Sequence, residues 1–179
     1  MKEFISKNGN KFIIRPALSQ EADAIVEFYN FVGGETDYLS FGLNEYPHSP
    51  EEKRKEIAAL EGDSMSCMLL ALIDEEIAGI ITIETGGKRK FKTKAELGIG
   101  IKLKYCNEGL GFVMMEEAVN FAKANKITKK ICLVTRSDNS RAIALYEKIG
   151  FKPEALLKNE SFENNRFYDS LVMAMFLEM

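Results

Sequence analysis

The stretch Tyr105-Cys106-Asn107-Glu108-Gly109-Leu110-Gly111 constrains this chain more than any other. It follows an apolar run, Ala95 to Leu103, and leads into a helical pattern that lasts to about Asn125. That order makes it a turn from a strand into a helix. The first N–H groups of a helix have no internal partners, and the helix dipole favours negative charge there. A glycine-rich turn at such a point is a place to put phosphate. Glycines at 109 and 111 carry no Cβ that would block a close approach.

The rest of the chain supplies strands and helices around this turn. Asn8-Gly9 between two apolar runs predicts a hairpin ending at Pro16. Ser19 reads as a helix cap, with Ala22, Ile25, Val26 and Tyr29 at helical spacing and Gly33-Gly34 as the stop. Ser49-Pro50-Glu51-Glu52 is a capping box that opens a second, highly charged helix to about Leu60. Cys67 to Ile73 and Ile77 to Glu84 flank a polar turn and predict an antiparallel hairpin. Gly86 to Lys94 is basic and reads as a solvated loop tip.

Ala95 to Leu103 is the next strand, and its interior Gly98 and Gly100 mark a bulge or the close approach of another backbone or ligand. In the helix after the turn, Leu110, Val113, Met114, Ala118, Phe121 and Ala122 form one stripe. Lys129 to Arg136 is a strand, and Asn139 caps a short helix that ends at Gly150. Glu154 to Phe162 and Phe167 to Leu177 are two further strands. Helices and strands alternate around a mixed sheet, so the class is α/β or mixed α+β with one core.

Composition narrows the function. A length of 179 residues predicts one domain over 1–179. The formal net charge of -3 gives no reason to expect nucleic acid. One His and three Cys without a Cys-x-x-Cys pair leave no set for a structural zinc, so no metal is expected. No run approaches the ~20 apolar residues of a membrane helix. The N-terminus lacks a signal-peptide core, and a soluble cytoplasmic protein is the simplest reading.

Ile13-Ile14-Arg15-Pro16-Ala17, Gly109-Leu110-Gly111 and Asn139-x-x-Ala142-x-x-Leu145-Tyr146-x-x-Ile149-Gly150-Phe151 together resemble the GCN5-related N-acetyltransferase (GNAT) superfamily. Order and spacing match over nearly the whole chain, and the Asn-to-Phe motif is the specific part. The resemblance implies a central, mostly antiparallel twisted sheet of about seven strands flanked by about four helices. Its fourth and fifth strands splay, and acetyl-CoA enters the gap.

The resemblance also implies site residues. The pantetheine arm would pair with the backbone of Gly98, Ile99, Gly100 and Ile101. The pyrophosphate would sit on the N–H groups of Asn107, Glu108, Gly109, Leu110, Gly111 and Phe112. Asn139, Ala142 and Tyr146 would line the pantetheine and thiol. Tyr146 would protonate the leaving thiolate, and Glu96, or else Glu35 or Asp37 in the loop after the first helix, would take the proton of the attacking amine, unless a water chain does so. Glu35, Asp37 and Tyr38 would bind the acceptor. The loop 34–46, with Phe41 and Tyr46, would wall that pocket together with the last hairpin.

The acceptor would be a small-molecule amine or a protein N-terminus, and the resemblance admits a homodimer. Cys106 departs from the pattern, standing where the family usually has Arg or Gln. A thiol is a far weaker hydrogen-bonding group, so this side chain is expected to pack. A reading from another class is a domain that binds acyl-CoA as a sensor or interaction module without turnover. A nucleotide-binding domain fits poorly, because Gly98-Ile99-Gly100 lacks the third glycine of the dinucleotide fingerprint.

Overall fold

The structure is a computed structural model and describes residues 1–177. One eight-stranded sheet runs through it in the order β1-β2-β3-β4-β5-β6-β8-β7. The strands are β1 (Lys2–Ile5), β2 (Lys11–Pro16), β3 (Cys67–Ile73), β4 (Glu76–Thr85), β5 (Lys94–Ile101), β6 (Lys130–Arg136), β7 (Lys152–Glu163) and β8 (Arg166–Phe176). All neighbours are antiparallel except β5 and β6. The helices are α1 (Ala22–Gly33), α2 (Pro50–Leu60), α3 (Leu110–Ala124) and α4 (Ser140–Ile149). The resemblance implied about seven strands; the sheet has eight, counting both strands of the N-terminal hairpin that Asn8-Gly9 predicted.

Each face of the sheet has its own apolar layer. Leu110, Met114, Met115 and Ala118 of α3 pack with Tyr146 and Phe151 on Ile81, Ile83, Ala95 and Leu97. On the other face, Ile25, Phe28 and Val32 of α1 and Ile57 of α2 pack on Met68, Leu70 and Ile80. Alternation along β4 and β5 sends successive side chains to opposite layers.

Turn chemistry explains the hairpins. Asp74 and Glu75 both have positive φ (48° and 67°), as do Asn164 and Asn165 (50° and 59°). Two consecutive left-handed residues match the right-handed twist of the flanking strands. The first hairpin is built differently. Only Gly9 is left-handed there, at φ 85°, and Ser6 and Asn10 close a loop of three residues.

Two helix ends differ from expectation. Ser19 is not a cap but the first residue of a 3-10 turn, Ser19–Glu21, that precedes α1. Arg15 holds the Glu21 carboxylate at 2.6 and 2.9 Å, and that carboxylate reaches back to the Leu18 N–H. The stop at Gly33-Gly34 is not left-handed either, since Gly34 keeps φ -83°. Gly33 is glycine for another reason. A Cβ there would collide with the Gly42 carbonyl oxygen and lie 2.8 Å from its carbon. The loop after α1 thus lies directly on the helix end.

Gly33→Ala tests this packing. In a free helix alanine is favoured over glycine by about 1 kcal/mol. Here the backbone clash should reverse the sign and destabilise the fold by about 1–3 kcal/mol. A lowered urea midpoint is expected, and a raised one would contradict the contact.

Candidate active site

The site is built by two strands that part. β5 and β6 pair only across Lys94–Lys130, Ala95–Ile131 and Glu96–Cys132. Beyond them, β5 continues to Ile101 on β4 alone, and Leu133–Arg136 of β6 stays with β8 alone. A gap opens between residues 97–101 and 133–136.

The register says which backbone groups face that gap. In an antiparallel pair, alternate residues direct both N–H and C=O to one neighbour. Lys102 donates to Ala78 O, and Gly86 donates to Lys94 O. The even-numbered residues of β5 therefore bond β4, and Ile99 and Ile101 turn theirs into the gap. This narrows the expectation for 98–101. Gly98 and Gly100 contribute missing side chains on the α1 face instead. A Cβ at Gly98 would lie 3.2 Å from Thr82 Oγ1, and one at Gly100 would lie 3.7 Å from Phe28.

The phosphate turn lies at the open end of the gap. Asn107 and Gly109 are left-handed, with φ 65° and 91°, and α3 begins at Leu110. Among the described residues no protein acceptor takes the N–H groups of Asn107, Glu108, Gly109, Leu110 and Gly111. Phe112 N–H donates to Gly109 O. Gly111 sits against Ile101 and Leu145, each 3.2 Å from a Cβ placed on it, so α3, α4 and β5 meet there.

Side chains fix this turn from two directions. Glu76, at the start of β4, accepts from Lys102 Nζ, Lys104 Nζ and Tyr105 Oη at 2.7, 2.7 and 2.9 Å. Those hydrogen bonds, the lysines' first, hold its carboxyl down at about 2. Glu108 is buried and turns away from the gap to accept from Ser6 and Asn10. Cys106 packs, with Sγ 3.7 Å from Lys102 O. Burial raises its pKa, while the nearby Arg141 guanidinium of α4 opposes the rise.

On α4, Asn139 is buried, accepts from Ala142 N at 3.3 Å and donates to Thr135 Oγ1 of β6 at 3.1 Å. Its amide thus joins the helix start to the parted strand. Ala142 is half-buried in the same layer. Tyr146 is 8% exposed, and burial pushes its phenol up to about 12. Among the described residues no group hydrogen-bonds its hydroxyl. Glu96 points into solvent at the closed end of the gap, paired with Lys94 at 3.0 Å.

The loop after α1 spans the open end on the other face. Glu35 accepts from Leu103 N at 2.8 Å, just beyond β5. The Asp37 carbonyl accepts from Arg136 at the end of β6, and the Tyr38 ring lies 5.1 Å from the same guanidinium. Arg136 also pairs with Asp138 and Glu163 and lies 3.6 Å from the centre of the Tyr168 ring. Phe41 and Tyr46 sit apart from Tyr38, packed on Tyr29 with buried Lys53, paired to the half-buried Glu56, beside them.

Sequence reasoning missed Glu76, Arg136, Arg141 and Glu84. Glu84 lies opposite Glu96 in the β4–β5 register. Desolvation first, then repulsion from Glu56 and Glu96, raises its carboxyl above the usual range. Its spacing of two from Thr82 and Ile80 placed it on this face. Nothing local marked it as coupled to Glu56. Among the described residues no helix is long and apolar enough to cross a membrane, and no cluster of ligand residues could hold a metal ion.

Glu76 yields a prediction in pH. Its folded pKa is depressed, so its pairing stabilises the protein above the ordinary carboxyl value of 4.5 and is lost as pH falls toward about 2. Glu76→Gln should lower the urea midpoint near pH 6, and the difference from the parent should vanish by the acid end of that window. The effect is modest because the group is partly exposed and screened. A difference constant in pH would contradict the assignment.

The comparisons agree with this geometry. Residues 31–151 match the model of the acetyltransferase (GNAT) family. An L-amino acid N-acetyltransferase, AaaT, of Escherichia coli is 28% identical over 106 residues, 59% of this chain and 65% of that protein. The chain thus matches just under two thirds of that curated relative's length. A GNAT-family acetyltransferase structure from Streptococcus pneumoniae is 29% identical, with a TM-score of 0.89 over 93% of this chain and 99% of that one. A GNAT superfamily phosphinothricin acetyltransferase from Sinorhizobium meliloti, in complex with AcCoA, shares the fold at 20% identity. Its TM-score is 0.80 over 93% of this chain and 88% of that one. A sheet that parts beside a glycine turn, the Asn139-to-Phe151 motif and a family match over two thirds of its length place this chain in the GNAT acetyltransferase family.

Proposed function

We propose that the chain transfers acetyl from acetyl-CoA to a primary amine of a small molecule or a protein N-terminus, by direct attack. One observation carries the reading. Ile99 and Ile101 direct backbone groups into a gap whose open end carries five N–H groups without partners among the described residues. That set fits an extended amide-bearing arm ending in phosphates. Residues 107–111 would hold the pyrophosphate, and Arg141 supplies a positive charge where Cys106 cannot. Ile99 and Ile101 would pair with the arm.

Bound acetyl-CoA supplies an activated acetyl thioester. The chain's own groups supply the rest. Ile99 N–H is a fixed donor available to a developing oxyanion. The Tyr146 phenol is protonated at neutral pH and has no hydrogen-bond partner among the described residues, so it can donate to a leaving thiolate. Glu84 and Glu96 are carboxylates at the closed end, and desolvation with repulsion from Glu56 raises the Glu84 carboxyl above its ordinary value, which makes it the stronger base. The bridge of Glu35, Asp37 and Tyr38 over the parted strands would wall the acceptor side. AaaT, the E. coli relative, is named for amino acids, so amino acids lead the set of acceptors.

Acetyl-CoA consumption should be measured against amino acids, polyamines and N-terminal peptides. Turnover with at least one amine is expected. CoA binding with no turnover on any of them would favour the acyl-CoA-binding sensor instead. With an active amine, Tyr146→Phe should keep its fold and its CoA affinity, since ring and volume remain. Its kcat should fall by about 10², the lower end for positioned proton transfer. An unchanged kcat, with chemistry rate-limiting, would leave Tyr146 as a core aromatic.

A further inference from the structure

We propose that the β1–β2 hairpin is the positioning element of the phosphate turn and acts through the Glu108 carboxylate. The inference rests on the acetyl-CoA reading above. The family match begins at residue 31, so the hairpin lies outside it.

Five contacts join the hairpin to residues 105–109. Ser6 Oγ donates to Glu108 Oε2 at 2.7 Å, and Asn10 Nδ2 donates to the same oxygen at 2.9 Å. Lys7 N–H donates to the Glu108 carbonyl at 3.3 Å. Phe12, fully buried, meets the Tyr105 ring edge-on at 5.6 Å. Phe4 stacks on Phe12 and lies 3.6 Å from where a Cβ on Gly109 would be.

The chemistry explains why such a brace matters. A carboxylate at the centre of an anion-binding turn is a competitor for the phosphate. Released, it would repel a diphosphate or take the free N–H groups itself. Ser6 and Asn10 hold it on the far side, 5% exposed, where its charge is hydrogen-bonded. The Lys7 contact and the two rings fix the backbone that carries it. The turn then presents N–H groups on one side and its own anion on the other.

A donor–acceptor exchange tests this. Asn10→Asp sets a second carboxylate against Glu108 and leaves the bonds from Asn8 and Asn10 N–H to Ser6 Oγ intact. CoA affinity, measured by calorimetry, should fall about tenfold, the size of one charge-assisted hydrogen bond. Asn10→Asp with Glu108→Gln rebuilds the pair with donor and acceptor exchanged, and affinity should return to within about threefold of the parent. Pantetheine, which lacks the diphosphate, should bind parent and Asn10→Asp alike, whereas general damage to the fold would weaken both ligands. Asn10→Ala, which adds no charge, is measured in parallel and should also lose CoA affinity, so the test survives if Asn10→Asp does not fold. A parent that binds CoA, with unchanged affinity in the Asn10 variants or no recovery in the exchanged pair, overturns the brace alone. A parent that does not bind CoA overturns the acetyl-CoA reading instead.

Discussion

The parting of β5 from β6 after Glu96 and Cys132 is the constraint on which the rest depends. Backbone N–H and C=O groups inside a protein need partners, and a central strand obtains them from two neighbours. β5 has two neighbours for three residues and one for the next five. Ile99 and Ile101 are left with polar groups directed at an opening. Such a strand has an edge in the middle of a sheet, and an extended ligand can complete it.

The surrounding elements hold the opening at a fixed shape. Asn139 ties the start of α4 to Thr135 on the departing strand. Gly111 lets α3 approach Leu145 of α4 and Ile101 of β5, where an added Cβ would press on the methyl ends of both side chains. Arg136 and Glu35 carry the loop after α1 across the two strand ends. Glu76 and the N-terminal hairpin grip the turn from opposite sides. Rigid support of this kind lets a site bind without first ordering itself.

The parts legible in the sequence were those coded locally. Asn139 caps its helix and Gly150 follows it left-handed at φ 113°, as their spacing required. Ser49 and Glu52 form their capping box for the same reason. The glycine turn was visible because a left-handed Gly109 is a local backbone demand. What escaped depends on pairs far apart in the chain. Ser6 and Glu108 are 102 residues apart, and Arg136 meets Asp37 across 99. The division of labour along β5 escaped too, because which residues face the gap is set by the register with β4. Ser19 misled because Arg15 positions Glu21 to take the Leu18 N–H from the other side.

Amide hydrogen exchange along β5 tests the central claim most directly. The amides of Gly98 and Gly100 already bond β4, whereas those of Ile99 and Ile101 face the gap. Saturating acetyl-CoA should slow exchange at Ile99 and Ile101 far more than at Gly98 and Gly100. Binding of acetyl-CoA that leaves Ile99 and Ile101 exchanging as in the free protein would contradict the gap as its seat.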